Sequence, residues 1–277
     1  MSIEQILVLA IVQGLTEFLP VSSSGHLILV PAFTGWSDQG QVTDVMVHVG
    51  SLLAVVVYFW RDVLDLVAGT GELVRGRMTD RARLALIIAV ATVPALALGA
   101  VFEFSGLNDT MRANGVFIVA TGAIFFGILL YVADVAGRRT KVMENMTFAA
   151  GMAIGIAQAV ALIPGTSRSG ATITMARFLG FKRDEAARFS FLLGIPAIAA
   201  AGLFKGISAF RSEAGIPPDA LWAAFFTFFA AIAAIAILMA VVKRTSFLVF
   251  VVYRIALGLL LFAMLYDWFP GVLPSLS

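Results

Sequence analysis

Two short polar segments interrupt an otherwise apolar chain, and they carry the side chains best suited to chemistry. The first, from Gln13 to His26, reads QGLTEFLPVSSSGH. Gln13 and Glu17 are four residues apart, so on a helix they share one face. An ionisable group in apolar surroundings is costly and usually faces a polar cavity. The groups that this segment offers to a reaction lie on Gln13, Glu17, Ser22, Ser23, Ser24 and His26.

The second segment, from Pro164 to Ile173, reads PGTSRSGATI. Pro and Gly end one helix, and Ser and Gly open the next, whose first backbone N–H groups have no partner within the helix. Such a terminus binds anions, and Arg168 adds a permanent charge with a planar pair of donors. We therefore predict a phosphate site that faces the first segment. Its candidate ligands on the second segment are Thr166, Ser167, Arg168, Ser169 and Gly170.

Each of these residues also has a purely structural interpretation. Serine and threonine often cap helices or ease close helix packing in membranes. Glu17 and Arg168 could form an ion pair that only holds the segments together, and His26 could be a cap. We interpret Asp44 and His48, on one face of the third helical segment, as more often structural. Three further charged residues are assigned to the membrane interfaces, where snorkelling accounts for them: Asp134, Arg254 and Asp267.

The composition identifies the medium in which these segments fold. Of the 277 residues, 60% are hydrophobic and 13% are charged, and the charged share is about half that of a soluble domain. The apolar runs are continuous, which favours membrane helices over barrel strands. A net charge of +2 gives no reason to expect a nucleic-acid partner, and the absence of cysteine excludes disulfides. Residues 1–4 lack the basic region of a signal peptide, so we expect the mature chain to begin here.

The apolar stretches predict the fold class. A spanning helix needs about 20 mostly apolar residues. Two stretches, Ile6–Leu19 and Phe148–Ile163, are shorter, run into Pro, Gly and Ser, and then resume. We predict a single all-α integral membrane domain with six transmembrane helices and two re-entrant helical hairpins, at about 5–35 and 148–180. The predicted spans are Val42–Trp60, Leu84–Phe104, Gly115–Asp134, Ala186–Phe210, Ala220–Val242 and Phe247–Trp268.

Lysine and arginine in the loops predict the orientation, because cytoplasmic loops are enriched in them. Segments 105–114 and 211–219 hold one arginine each. The segments rich in these residues are 61–83, 135–147 and 243–246, together with Lys182 and Arg183. The rich segments are therefore placed in the cytoplasm. By this count the first hairpin enters from the outer side and the second from the inner side.

Opposite directions indicate an inverted repeat, and echoes in the sequence support it. At an offset of 145 residues, Gln13, Ser22, Ser24 and Gly25 meet Gln158, Ser167, Ser169 and Gly170. We predict two repeats, 1–134 and 135–277. Folds of this kind place the tips of broken helices near the membrane midplane, where they form a site at the interface between repeats.

The two polar segments together closely resemble the undecaprenyl-diphosphate phosphatase family of the bacitracin-resistance type. The resemblance continues in the stretch HVGSLLAV that begins at His48 and covers essentially the whole chain. It implies hydrolysis of a polyprenyl diphosphate to the monophosphate, which recycles the carrier lipid for peptidoglycan synthesis in the bacterial plasma membrane. It also implies a divalent cation as cofactor, Mg²⁺ or Ca²⁺.

By motif match, the resemblance implies that Glu17 is the essential acidic residue, that Arg168 binds phosphate, and that His26 and the neighbouring Ser23 are catalytic. We expect Glu17 to hold the metal. Many members carry a second glutamate where this chain has Gln13, so one carboxylate fewer is available. The attacking group is either Ser23 activated by His26, or a water activated by His26 or Glu17.

The main alternative is a secondary transporter or lipid flippase, because inverted repeats with two broken tips fit that class at least as well. The set of Glu, His, Ser and Arg is more reactive than a transport site needs, and this favours the enzyme. Expected partners are the polyprenyl diphosphate and membrane lipids, and the sequence leaves the oligomeric state open. The active site is predicted to open to the outer, periplasmic face, because the tip that carries Glu17 enters from that side.

Overall fold

The computed structural model describes residues 1–37, 39–107, 111, 115–211 and 216–268, and Arg112 of the sparsely charged loop lies outside them. Within these residues the secondary structure is helical, and the only β-pairing is an isolated bridge between Lys141 and Phe181. The helices are α1 Ile3–Phe18, α2 Ser23–Thr34, α3 Gly40–Tyr58, α4 Trp60–Val74, α5 Asp80–Ser105, α6 Gly115–Ala136, α7 Phe148–Val160, α8 Arg168–Phe178, α9 Arg183–Arg211, α10 Pro218–Arg244 and α11 Leu248–Leu265.

Long apolar helices make this a multi-pass membrane protein. In the part of the chain that the structure describes, α5, α6, α9, α10 and α11 contain segments long and apolar enough to cross a bilayer. A sixth span arises if α3 and α4, which meet at a bend of 88°, are counted together. The predicted all-α membrane class is therefore confirmed.

Helix α4 lies in segment 61–83, which the sequence predicts to be a loop. The segment is instead helical as far as Val74. It packs along α5, and the Nε of Arg188 donates to Asp62 at 3.0 Å. The loop prediction was wrong for these residues because their charged side chains belong to an amphipathic helix, whose apolar positions recur at helical spacing.

The two polar segments form the turns of two helical hairpins, α1–α2 and α7–α8. Their helices have 16, 12, 13 and 11 residues, so each is shorter than the roughly 20 residues of a full span. The hairpins coincide with the predicted segments 5–35 and 148–180. Each hairpin therefore turns back before its first helix reaches the length of a full span.

The first and second parts of the chain are interleaved. Helix α1 packs on α10, and α7 packs on α5. The first helix of each hairpin thus packs against a long helix from the other predicted repeat. Helix α6 also packs on α11. The tip of the first hairpin is anchored in the apolar core, where Phe18 meets Phe191 of α9 edge to face with ring centroids 5.3 Å apart. This exchange is what the predicted division into 1–134 and 135–277 would produce, and the division itself stays a prediction.

A buried ion cluster fixes the second hairpin to α6. Asp134 is only 3% exposed. Its Oδ1 accepts hydrogen bonds from the Nε of Arg177 at 3.0 Å and the Nε of Arg183 at 2.8 Å. Snorkelling was the wrong explanation for Asp134, because its carboxylate is buried at the end of α6 and paired with Arg177 of α8 and Arg183 of α9.

Candidate active site

Glu17, at the end of α1, is the centre of the site and is only 6% exposed. The Ser23 hydroxyl donates to Glu17 Oε2 at 2.6 Å, and the Gln13 amide donates to the same oxygen at 3.1 Å. From the second hairpin, Arg168 Nη2 lies 3.4 Å from Glu17 Oε1. The structure therefore brings three of the other residues chosen from the sequence to the Glu17 carboxylate.

His48 is a further residue at this carboxylate, which the sequence analysis assigned to a structural role. Its Nε2 lies 3.7 Å from Glu17 Oε2, and its Nδ1 donates to the Asp44 carbonyl oxygen at 2.6 Å. The imidazole is about one-third exposed, at 33%. The signal that could have found it is its place at the start of the family-like stretch HVGSLLAV.

Arg168 is held by the fold with part of its donor fork still available. Its Nη1 donates to the Ser190 carbonyl oxygen of α9 at 3.1 Å. Its buried Nε has no hydrogen-bond partner among the described residues. A Cβ at Gly194 would lie 2.1 Å from Arg168 Nη1, so only glycine admits the guanidinium at this point. One edge of the guanidinium is therefore anchored, and its Nε keeps a donor that no described residue uses.

Most other polar groups of the second turn form hydrogen bonds that stabilise the turn itself. The Ser167 hydroxyl accepts from the Gly170 N–H at 3.1 Å, and the Ser169 hydroxyl donates across to the Leu19 carbonyl oxygen of the first turn at 3.0 Å. The Thr166 hydroxyl is buried, with no partner in the described part of the chain. Two of the predicted phosphate ligands, the Gly170 N–H and the Ser169 hydroxyl, thus already have partners within the protein.

His26 is oriented away from the neighbouring serine that it was predicted to activate. Its Nδ1 donates to the Ser22 carbonyl oxygen at 2.7 Å, and its Nε2 lies 2.6 Å from the Tyr253 hydroxyl. The two rings are stacked, with centroids 5.7 Å apart. Because both ring nitrogens are engaged, the expected Ser23–His26 hydrogen bond is not formed. Ser24 is exposed beside this pair.

Arg254 joins the two turns and was missed as a site residue. It is fully buried, at 0% exposure. Its Nη1 donates to the Pro20 carbonyl oxygen at 3.1 Å, and its Nη2 donates to the carbonyl oxygens of Gly165 and Thr166, each at 2.9 Å. Two more bonds reach α6, at Gly122 and Ala123. The interfacial assignment of Arg254 was wrong, because α11 passes directly behind both turns.

The two turns share an unusual local geometry. Ser22 and Ser167, which correspond in the predicted repeat, have φ values of 78° and 73°. Few residues other than glycine adopt this left-handed region. The Ser22–Ser24 hydroxyl distance is 3.5 Å, and the Ser167–Ser169 distance is 3.3 Å. Backbone strain of this kind persists only where the surrounding structure enforces it, and it clusters at functional sites.

Fold and site together define a multi-pass helical membrane protein with an acid, a hydroxyl and an arginine gathered between two hairpin turns. The family model described as "Bacitracin resistance protein BacA" matches residues 6–260. The chain belongs to this family.

Curated relatives match over nearly their whole lengths. The undecaprenyl-diphosphatase of Ruegeria pomeroyi is 47% identical over 269 residues, which cover 96% of this chain and 100% of that protein. The undecaprenyl-diphosphatase of Erythrobacter litoralis is 47% identical, with 95% and 99% of the two chains covered. That of Maricaulis maris is 48% identical, with 94% and 98% covered.

Proposed function

We propose that this protein hydrolyses undecaprenyl diphosphate to the monophosphate and phosphate in the bacterial plasma membrane, and so recycles the carrier lipid for peptidoglycan synthesis. The observation that carries the proposal is the contact of Ser23, Glu17 and Arg168 at the junction of the two hairpins. The relatives' name, undecaprenyl-diphosphatase, supports this substrate, and the family's description supports a link to bacitracin resistance.

The lipid head and tail need different surroundings, and the second turn offers both. The Arg168 side chain is 16% exposed, and a planar guanidinium binds phosphate oxygens strongly. Leu162 and Ile163 in the same turn are exposed, at 39% and 38%. The polyprenyl tail can therefore leave along apolar side chains while the diphosphate stays at Arg168.

The short hydrogen bond between Ser23 and Glu17 supports Ser23 as the attacking group. Glu17 takes the Ser23 proton as Oγ attacks the terminal phosphorus, and the bond from this phosphorus to the bridging oxygen breaks. Arg168 stabilises the charge that shifts to the phosphoryl oxygens. Glu17 passes this proton to the departing lipid monophosphate and then takes a proton from the water that attacks the phosphoserine. It returns that proton to Ser23 Oγ as the bond from phosphorus to Oγ breaks and phosphate leaves. His26 does not contact Ser23, so we assign it to holding the turn through Ser22 and Tyr253.

The residues around Glu17 fit a divalent cation. Gln13 is completely buried, and its Oε1 has no partner among the residues that the structure describes. The amide oxygen and nitrogen can be exchanged by a flip, which would place this oxygen beside the Glu17 carboxylate. Mg²⁺ commonly uses one or two carboxylates and completes its shell with phosphate oxygens and water. We assign Glu17 and Gln13 to the cation, which would offset the charge of the diphosphate.

Phosphate release in detergent tests the proposal directly, because no gradient exists there to drive a transporter. Purified protein should release phosphate from a polyprenyl diphosphate, lose this activity in a strong chelator and regain it with Mg²⁺ or Ca²⁺. Gln13→Glu should stay active and need less metal, because it adds a carboxylate on the same helix face. Absence of phosphate release would favour the transporter or flippase, and full activity in chelator would remove the cation.

Single cysteines test which side the site opens to, and the chain has none of its own. Ser24→Cys lies at an exposed position of the first turn. In intact cells, a membrane-impermeant thiol reagent should label it and inhibit hydrolysis of added short-chain polyprenyl diphosphate. Lys182→Cys, exposed on the predicted cytoplasmic side, should react only in inverted vesicles. The reverse pattern of labelling would invert the proposed orientation.

A further inference from the structure

The hydrogen bond made by one nitrogen of the His48 ring decides what the other nitrogen can offer to Glu17. The Asp44 carbonyl oxygen can only accept a hydrogen bond, so the hydrogen of the neutral ring lies on His48 Nδ1, 2.6 Å away. In that tautomer the Nε2 atom carries the ring's lone pair, and it lies 3.7 Å from Glu17 Oε2. Two atoms that offer lone pairs to each other repel unless a positive charge lies between them.

A metal ion accounts for this spacing better than a proton does. A proton shared between an imidazole and a carboxylate draws the two atoms to about 2.7–2.9 Å, whereas they are 3.7 Å apart. Two ligands that each lie about 2.1 Å from one metal ion are separated by about 3–4 Å. The ring is also held from behind by the Asp44 carbonyl, which is how metal-binding histidines are usually oriented.

Gln13 supplies a third possible donor at the same point. Its Nε2 lies 3.1 Å from Glu17 Oε2 and 3.5 Å from the Ser51 hydroxyl, so the second contact is at the limit of a hydrogen bond. A flip of the amide would give up both contacts and turn the partnerless Oε1 toward Glu17, where a bound cation would replace the lost hydrogen bond. The donors would then be a carboxylate oxygen, an amide oxygen and an imidazole nitrogen.

We propose that His48 Nε2 is a direct ligand of the divalent cation, together with Glu17 Oε2 and Gln13 Oε1. An imidazole ligand suits first-row transition ions better than Ca²⁺ or Mg²⁺, so the site binds Mn²⁺ more tightly than Ca²⁺. The His48 side chain is one-third exposed, and phosphate oxygens and water would complete the coordination of the cation. This inference rests on the cation of the proposed function and adds a ligand and a metal preference to it.

Pulsed electron paramagnetic resonance of bound Mn²⁺ tests this ligand without any activity assay. An imidazole nitrogen on the metal produces a ¹⁴N modulation, and the chain contains only two histidines. With a purification tag free of histidine, wild-type protein in detergent should show the modulation. His48→Gln should lose it and bind Mn²⁺ about tenfold more weakly or worse, whereas the matched variant His26→Gln should keep both.

A carboxylate replacement guards against loss of folding. His48→Glu should still bind Mn²⁺, with no ¹⁴N modulation and with a preference moved toward Mg²⁺ and Ca²⁺. Modulation that persists in His48→Gln, or that is absent from wild-type protein with bound Mn²⁺, would overturn the His48 ligand. In the second case Glu17→Gln still tests the cation separately: if it abolishes Mn²⁺ binding, the proposed function keeps its cation.

Discussion

Ser23→Ala is expected to lower kcat by about 10³-fold or more, with little change in KM for the lipid diphosphate. The Ser23 hydroxyl lies 2.6 Å from Glu17 Oε2, so the substitution removes the proposed nucleophile and leaves the proposed base in place. Arg168 still binds phosphate, which is why substrate affinity should persist. Phosphate release by the purified variant, over a range of substrate concentrations, gives both constants.

The adjacent serine provides the matched control for this prediction. Ser24 is exposed, so Ser24→Ala should stay within about twofold of the wild type, as is usual for truncations outside the reacting groups. Glu17→Gln should lower kcat as severely as Ser23→Ala, and the double variant should be no worse than either, because residues that act as a unit are not additive. Near-normal turnover of Ser23→Ala, with Glu17→Gln inactive, would instead assign the attack to water.

Arg168→Lys is expected to lower kcat/KM by about 10²-fold, although the positive charge is kept. The guanidinium reaches Ser190 with Nη1 and Glu17 with Nη2, and its buried Nε is a third donor, with no partner among the described residues. A lysine ammonium is a single point charge and cannot bridge all three directions. Phosphate release and orthovanadate inhibition should decline together, because both report the binding of a phosphoryl group.

Two further variants test whether Arg168 binds phosphate or only holds the two hairpins together by its ion pair with Glu17. Arg75→Lys changes an exposed arginine at the end of α4 and should leave kcat/KM unchanged. Gly194→Ala would bring a Cβ to 2.1 Å from Arg168 Nη1, so it should displace the same guanidinium and reduce activity in the same sense. Wild-type turnover of Arg168→Lys would mean that the arginine only holds the two hairpins together.

The sequence by itself was enough for the fold class and for most of the carboxylate cluster. Length of apolar runs and the placement of Pro, Gly and Ser are local properties, and they mark long helices and interrupted ones wherever the chain goes. The polar segments that carry Glu17 and Arg168 can be recognised in the sequence because they too are local, continuous motifs. Their side chains meet in the structure although they are 151 residues apart, as the two facing polar segments predict.

Contacts set by the packing of distant helices were decided only in the tertiary structure. Arg254 reaches the Pro20 carbonyl oxygen across 234 residues, and nothing in the spacing of α11 signals that it passes behind both turns. His48 approaches Glu17 only because α1 and α3 pack together.

The same limit explains why His26 and Ser23 were paired in the sequence analysis. Their three-residue spacing is compatible with contact on a regular helix. The left-handed Ser22, at φ 78°, starts α2 in a direction that turns Ser23 toward α1 and His26 toward Tyr253 of α11. Side-chain direction at such a turn depends on a strained backbone that the surrounding helices enforce, and residue spacing carries no information about it.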